Sequence, residues 1–244
     1  MIRVALAGHR GRTGGEVARA LAAADDVDYV GGVGRGDDLA AFLESARPQV
    51  LVDFTHPSVA LEHALAAVGR GVAPVVGTTG LAPDAVGRLE AACREAGVGG
   101  VVAPNFAVGA VLMMHLASIA APYFDAVEVI EMHHAGKADA PSGTALATAR
   151  RLSGRGKFSY NQPEKTPLQG TRGGVEGNVA VHSVRLPGLV ADQEVLFGLP
   201  GQTLALTHRT TSREAFAPGV LLAVRQVARE PRFFRGLEEL LDLH

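Results

Sequence analysis

The densest chemistry in the chain lies in Glu131-Met132-His133-His134-Ala135-Gly136-Lys137-Ala138-Asp139-Ala140-Pro141-Ser142-Gly143-Thr144-Ala145. Two adjacent histidines, a lysine, an aspartate and a Ser-Gly-Thr at a helix start fall together there. His133 can carry a proton near neutral pH. Lys137 can donate a proton or hold developing negative charge. It is also a sparingly used residue type: Lys157 and Lys165 are the only other lysines, and the remaining basic residues are arginines, which do not change protonation state. Ser142, Gly143 and Thr144 offer hydroxyls and free backbone N–H groups to an anion such as a carboxylate. Plainer readings stand beside these. Ser142 is an ordinary helix N-cap, and Asp139 before Pro141 can simply shape the loop. Neighbouring residues on a strand point to opposite faces, so His133 and His134 cannot both reach one ligand by side chain alone. No third ligand follows at zinc spacing, so no metal is expected.

A second chemical motif opens the chain. Gly8-His9-Arg10-Gly11-Arg12-Thr13-Gly14 follows a first apolar run and precedes a first helix. This G-x-x-G-x-x-G spacing suits a dinucleotide pyrophosphate. Gly8 permits the tight turn, Gly11 the close approach of phosphate, and Gly14 close helix–strand packing. The helix N-terminus adds N–H donors and positive potential. A plain strand–helix turn is the alternative. The acidic residue that would bind ribose hydroxyls is expected about 20 residues on, at the tip of the second strand. That place reads Gly32-Val33-Gly34-Arg35, with Asp37 and Asp38 only later. An arginine there can accept a 2′-phosphate, which favours NADPH and leaves NADH open; a solvated loop charge is the other reading of Arg35. Asp53-Phe54-Thr55-His56-Pro57 and Gly77-Thr78-Thr79-Gly80 fall at further strand ends, where small and hydroxyl side chains suit a nicotinamide ribose and amide, and where turn chemistry alone is also sufficient. Ala103-Pro104-Asn105-Phe106 ends the last strand of this half and reads as hinge and roof.

The elements that must position these motifs follow from periodicity. Strands are expected at Arg3–Ala7, Asp28–Val33, Val50–Phe54, Val72–Val76 and Val98–Ala103. Helices alternate with them at Gly14–Ala23, Leu39–Ser45, Val59–Val68 and Asp84–Ala96. That alternation means an α/β, doubly wound (Rossmann-type) parallel sheet. After Asn105 the pattern changes. Ala107–Ala121 and Ser142–Leu152 read as helices and Ala126–His133 as a strand. Val179–Leu186, Glu194–Gly198 and Thr203–Thr210 read as consecutive strands of a mixed or antiparallel sheet, the core of an α+β domain. Gly154–Gly177 reads as one long loop, Ala215–Arg229 as a helix, and Phe233–Leu243 as a short apolar tail. The expected division is residues 1–104 with 212–244 for the dinucleotide, the last helix returning to the first domain. Residues 105–211 are left for substrate and oligomerisation.

Composition narrows the classes. The chain has 244 residues, enough for a core without disulfides, and is 47% hydrophobic and 20% charged, which excludes a disordered chain. Twenty-three basic and 25 acidic residues give a net charge of -2, with no electrostatic reason for a nucleic-acid or anionic-membrane partner. No apolar stretch is long enough to span a bilayer. The first residues read as a strand rather than a signal peptide, so the cytoplasm is the expected location. Cys93 is the single cysteine and reads as a small buried apolar residue.

The His-His-x-x-Lys-x-Asp-Ala-Pro-Ser-Gly-Thr-Ala stretch, the glycine loop, Gly77–Gly80 and Ala103–Phe106, in that order, resemble the 4-hydroxy-tetrahydrodipicolinate (dihydrodipicolinate) reductase family over nearly the whole chain. The resemblance implies an NADPH- or NADH-dependent reduction in lysine (diaminopimelate) biosynthesis. It implies His133 as proton donor and acceptor and Lys137 as proton donor. His134, Gly143 and Thr144 would hold a cyclic dicarboxylate substrate, next to Ser142 of the anion-facing helix start read above. Gly8, His9, Arg10, Gly11, Arg12, Thr13, Gly77, Thr78, Thr79, Ala103, Pro104, Asn105 and Phe106 would hold the cofactor, with Arg35 beside the adenosine ribose; Phe54 joins them from the strand-end reading above. It also implies a homotetramer built on the second domain's sheet. Two positions depart from the family pattern: Thr13 stands where Met is frequent, and Gly34 stands where some members carry Glu before the arginine. Another imine or semialdehyde reductase, or a non-catalytic nicotinamide nucleotide sensor, are the competing readings.

Overall fold

The computed structural model describes Met1–Leu243. The chain forms two compact units, Met1–Val108 with the residues from Arg213 onward, and Gly109–Ser212. The crossings thus fall four residues later and one residue later than the sequence suggested. Phe106 explains the first shift. It is 1% exposed, its ring lies 5.9 Å from that of Phe54, and Gly219 packs so closely on its carbonyl that a Cβ there would stand 2.2 Å from the oxygen. Phe106 and Ala107 are therefore buried in the first unit.

The first unit alternates β1 (Ile2–Ala7), α1 (Arg12–Ala23), β2 (Val27–Val33), α2 (Leu39–Ala46), β3 (Val50–Asp53), α3 (Pro57–Val68), β4 (Ala73–Val76), α4 (Pro83–Ala96) and β5 (Gly100–Val102). Every residue of β3 and β4 is buried, as a parallel sheet covered on both faces requires. Helix ends follow local chemistry. Asp38 caps α2 by accepting the Ala41 N–H at 3.1 Å, and Pro57 sits at the first turn of α3. Gly97 closes α4 at φ 66°, a left-handed cap that favours glycine.

The second unit holds α5 (Val108–Ala120), β6 (Ala126–His133), α6 (Gly143–Ser153), β7 (Gly174–Glu176), β8 (Val179–Arg185), β9 (Ala191–Leu199) and β10 (Gln202–His208). Its sheet runs β10-β9-β6-β8-β7. Only the β6–β8 pair is parallel. The strands expected as a consecutive series are therefore split by β6. The crossover through α6 lays β8 parallel to β6 on one side, and β9 returns antiparallel on the other. Val127, Val129, Val195 and Phe197 face a core with Met113, Ala149 and Leu152 of the helices. The stretch read as one long loop contains β7, paired antiparallel to β8; a three-residue strand beginning at glycine carries no readable alternation. Phe158 of the same stretch is buried in the core.

The returning segment makes a 3₁₀ turn (Arg213–Phe216), α7 (Ala217–Val227), β11 (Phe233–Arg235) and α8 (Leu237–Leu240). The tail read as merely apolar supplies a sixth strand: the first unit's sheet runs β11-β5-β4-β3-β1-β2, all parallel. Strand order reverses about β1, with β2 on one side and β3 on the other, which opens a crevice at the strand C-termini.

Candidate active site

Two residues apart on β6, Glu131 and His133 share a face of the sheet. Glu131 is fully buried. Its carboxylate is held on all sides. Arg185, from the end of β8, donates to both oxygens at 2.8 and 2.9 Å. The Ser142 N–H reaches it at 3.3 Å, and His133 Nδ1 stands 2.5 Å from Oε2. Burial alone would raise the Glu131 carboxyl, but hydrogen bonds from Arg185, Ser183 and His133 outweigh it and hold the group below its usual range. An ionised Glu131 accepts a hydrogen bond from His133 Nδ1–H and so fixes the tautomer that leaves Nε2 as the acceptor. Burial pushes the His133 pKa down, Glu131 pulls it up, and Lys137 and Arg185 add to the lowering; the net direction is down.

Beyond the strand, the Lys137 N–H closes a turn on the His134 carbonyl at 3.1 Å. Lys137 Nζ stands 2.6 Å from Asp139 Oδ1. Arg185 also donates to the Asp139 carbonyl at 2.7 Å. Asp139 therefore does more than shape the loop: its side chain aims the lysine, and its backbone ties the loop to the Glu131 centre. The Lys137 hydrogen bond holds the Asp139 carboxyl below its ordinary value. Ser142 caps α6, its Oγ accepting the Ala145 N–H at 3.1 Å while its carbonyl takes Leu146. That leaves the Gly143 and Thr144 N–H groups at the helix start, and the space beside Gly143 is open. His133, His134, Lys137, Ser142, Gly143 and Thr144 thus lie in one unit, on one strand end and the helix start that follows it. Sequence reading missed Arg185 and the role of Glu131. Their pairing depends on strand register, which sets His133 opposite Arg185.

The first unit carries a cradle. Gly8 has φ +89°, and a Cβ there would lie 2.4 Å from the Phe54 carbonyl oxygen. A Cβ on Gly14 would lie 2.1 Å from the Gly8 oxygen. α1 starts after Gly11 with no side-chain cap, so its first N–H groups face a cavity of about 420 Å³. Gly11, Arg12, Thr13, Phe54, Gly77, Thr78, Thr79, Pro104, Asn105 and Phe106 line it. A pyrophosphate fits such a helix start. Phe216, from the returning segment, lines the same cavity and was not foreseen; nothing local in the sequence marks it. A larger cavity of about 870 Å³ takes in Gly8, Arg10 and Arg35. His9 and Ala103 do not line either cavity. The His9 ring packs where a Cβ of Gly32 would stand 2.9 Å away. Ala103 is fully buried, its N–H bonded to the Val76 carbonyl.

One buried carboxylate joins the loops of this cradle. Asp53, 1% exposed at the end of β3, accepts from the Thr55 N–H at 3.0 Å and from the Thr55 and Thr78 hydroxyls at 2.7 Å each, all at Oδ1. Its Oδ2 meets His63 Nδ1 at 2.8 Å. Among the described residues no cluster of three or more His, Cys, Asp or Glu could hold a metal ion.

Comparison with known proteins agrees with both halves. Residues 2–106 match the family model for the dihydrodipicolinate reductase N-terminus, and residues 109–241 match that for its C-terminus. A 4-hydroxy-tetrahydrodipicolinate reductase of Moorella thermoacetica is 46% identical, covering 99% of this chain and 98% of that one. The enzyme of that name from Mycolicibacterium vanbaalenii is also 46% identical, over 99% and 100%. A solved dipicolinate-bound dihydrodipicolinate reductase from Paenisporosarcina sp. TG-14 superposes with a TM-score of 0.90 at 37% identity, over 98% and 99%. An amine dehydrogenase of Mycobacterium smegmatis shares only the fold, with a TM-score of 0.64 at 14% identity. With relatives this similar along the full length, the chain belongs to the dihydrodipicolinate reductase family.

Proposed function

We propose that this chain carries out the reduction of its family with Lys137 as proton donor and His133, oriented by Glu131, as its proton-handling partner. The enzyme reduces 4-hydroxy-tetrahydrodipicolinate to tetrahydrodipicolinate, a step of lysine biosynthesis, with NADPH or NADH. Gly11–Thr13 and Gly77–Thr79 would hold the cofactor, which would supply the hydride when bound. The remaining chemistry belongs to side chains. The substrate is a small cyclic dicarboxylate. Its carboxylates suit the N–H groups of Gly143 and Thr144 at the start of α6, with His134 beside them. The 4-hydroxyl leaves as water, which creates a ring carbon–carbon double bond conjugated with the imine; hydride addition to the far carbon of that system pushes an electron pair toward nitrogen, and a proton must meet it. Lys137, aimed by Asp139, can give that proton. His133 presents Nε2 because Glu131 holds Nδ1.

The observation that carries the reading is the Glu131–His133–Arg185 centre beside an open helix start. A coupled assay tests it: dihydrodipicolinate synthase, pyruvate and aspartate semialdehyde generate the unstable substrate, and loss of NADPH or NADH absorbance is followed. Substrate-dependent oxidation is expected; cofactor binding without oxidation would point to another imine substrate or to a sensor. No helix among the described residues is long and apolar enough to cross a membrane. A cytoplasmic homotetramer is the companion proposal, supported by β10, which ends its sheet with one pairing edge unused among the described strands.

A further inference from the structure

The tip of β2, which carries no acidic side chain in the sequence, receives one in the fold. The Asp37 N–H closes a turn on the Gly34 carbonyl at 3.2 Å. Asp37 then folds back, and its Oδ2 accepts the Gly34 N–H at 2.8 Å. The same oxygen stands 3.4 Å from Arg10 Nη2 of the glycine loop. Arg10 also lies beside position 34: a Cβ on Gly34 would stand 3.4 Å from Arg10 Cδ, an ordinary contact. Arg10, Arg35 and Asp37 all line the cavity of about 870 Å³ on the β2 side of the crevice. A dinucleotide with its pyrophosphate over Gly11–Thr13 places its adenosine half on that side.

We infer that Asp37, opposed by Arg10 and Arg35, is the residue that sets this chain's choice between NADH and NADPH. A ribose 2′,3′-diol donates hydrogen bonds to a carboxylate, whereas a 2′-phosphate brings negative charge against it. Arg10 already leans on Asp37, and a 2′-phosphate competes for the same guanidinium. Each cofactor therefore finds a partner: Asp37 for the diol, Arg10 and Arg35 for the phosphate. The consequence is use of both cofactors. In place of a carboxylate at position 34, the chain brings one back from position 37. The inference rests on the first unit being the cofactor unit, and it concerns which nucleotide is preferred rather than whether one binds.

The test is direct binding, read by the fluorescence of NADH and of NADPH on titration with the protein at low and high salt. Asp37→Asn keeps an acceptor for the Gly34 N–H while removing the charge. We expect it to raise the ratio of NADPH to NADH affinity tenfold or more. Arg10→Ala and Arg35→Ala should lower that ratio, and NADPH binding should fall more steeply with salt than NADH binding. An unchanged ratio in Asp37→Asn, including equal loss of both affinities from a disturbed loop, overturns the inference and leaves the cofactor reading intact. Binding of neither nucleotide by the unaltered protein overturns both.

Discussion

His133 Nδ1 lies 2.5 Å from Glu131 Oε2, and the carboxylate it meets is fully buried and already held by both arms of Arg185. The histidine is thus presented by a group that cannot move without breaking both of its bonds from Arg185. Removing Glu131 leaves the partly exposed Arg185, the His133 Nδ1–H and the Ser142 N–H without their shared acceptor, at a cost of about 1–3 kcal/mol. Glu131→Ala should lower stability by about that amount in a denaturant titration. The sign with pH is set by the lowered Glu131 pKa: its stabilisation is present above the unfolded carboxyl value and is lost as pH falls through the folded value. Glu131→Ala should therefore narrow its gap to the parent protein on acidification.

Glu131→Gln separates orientation from charge. The amide can still accept from His133, but it no longer pulls the histidine pKa upward, so burial, Lys137 and Arg185 leave it lower still. If the protonated histidine takes part in catalysis, the fall of kcat with rising pH should move to lower pH in this variant. A profile that scales down without shifting would confine Glu131 to holding the ring in place.

Lys137 has a different dependence. Lys137→Ala removes the donor and should reduce kcat by about 10²–10⁴-fold, the usual contribution of a positioned acid. Cofactor affinity should be untouched, since Gly8, Gly11 and Thr78 of the cradle belong to the other unit. Asp139→Asn keeps the lysine but weakens its aim and should cost less. An unchanged kcat in Lys137→Ala would remove it from the chemistry.

Asp53 offers a test of positioning at the cofactor cradle. Asp53→Asn loses the charge that collects two hydroxyls, one N–H and His63. Leaving such buried groups poorly paired costs about 1–3 kcal/mol. The loops at Thr55 and Thr78 then lose their common anchor. The dissociation constant for the cofactor should rise about tenfold while kcat at saturating cofactor changes little. A fall in kcat with cofactor affinity kept would refute that role.

What the sequence showed and what it hid divide along a physical line. The glycine loop and the His133–Thr144 segment were legible because their chemistry depends on spacing within a few residues of one strand–helix junction. The parallel sheet was legible because its buried strands are continuous apolar runs. Arg185, 54 residues from Glu131, was not, because it reaches the carboxylate only through the β6–β8 register. The return of Asp37 onto Gly34 was not legible either, since a turn that folds back leaves no periodic trace. β7 and β11 have only three residues each, too few to show alternation, and β11 is recognisable as a strand only once β5 is in place beside it.

Gly14 and Gly15 give the sharpest test of the cradle because they are neighbours with opposite surroundings. A Cβ on Gly14 would stand 2.1 Å from the Gly8 carbonyl oxygen and 2.8 Å from its carbon, both backbone atoms of the glycine loop. No rotamer change relieves that clash; the start of α1 has to move away from β1. A Cβ on Gly15 would meet nothing closer than the His9 oxygen at 3.8 Å, an ordinary contact. Alanine at a helix position is intrinsically better than glycine by about 1 kcal/mol. Gly15→Ala should therefore keep or slightly raise Tm and preserve cofactor binding. Gly14→Ala gains the same propensity but displaces the N–H groups that face the cavity, so it should lower Tm and weaken NADH and NADPH together by tenfold or more. Both readouts come from one thermal melt and one fluorescence titration per variant. Equal behaviour of the two variants would mean that the Gly8–Gly14 approach does not shape the cradle.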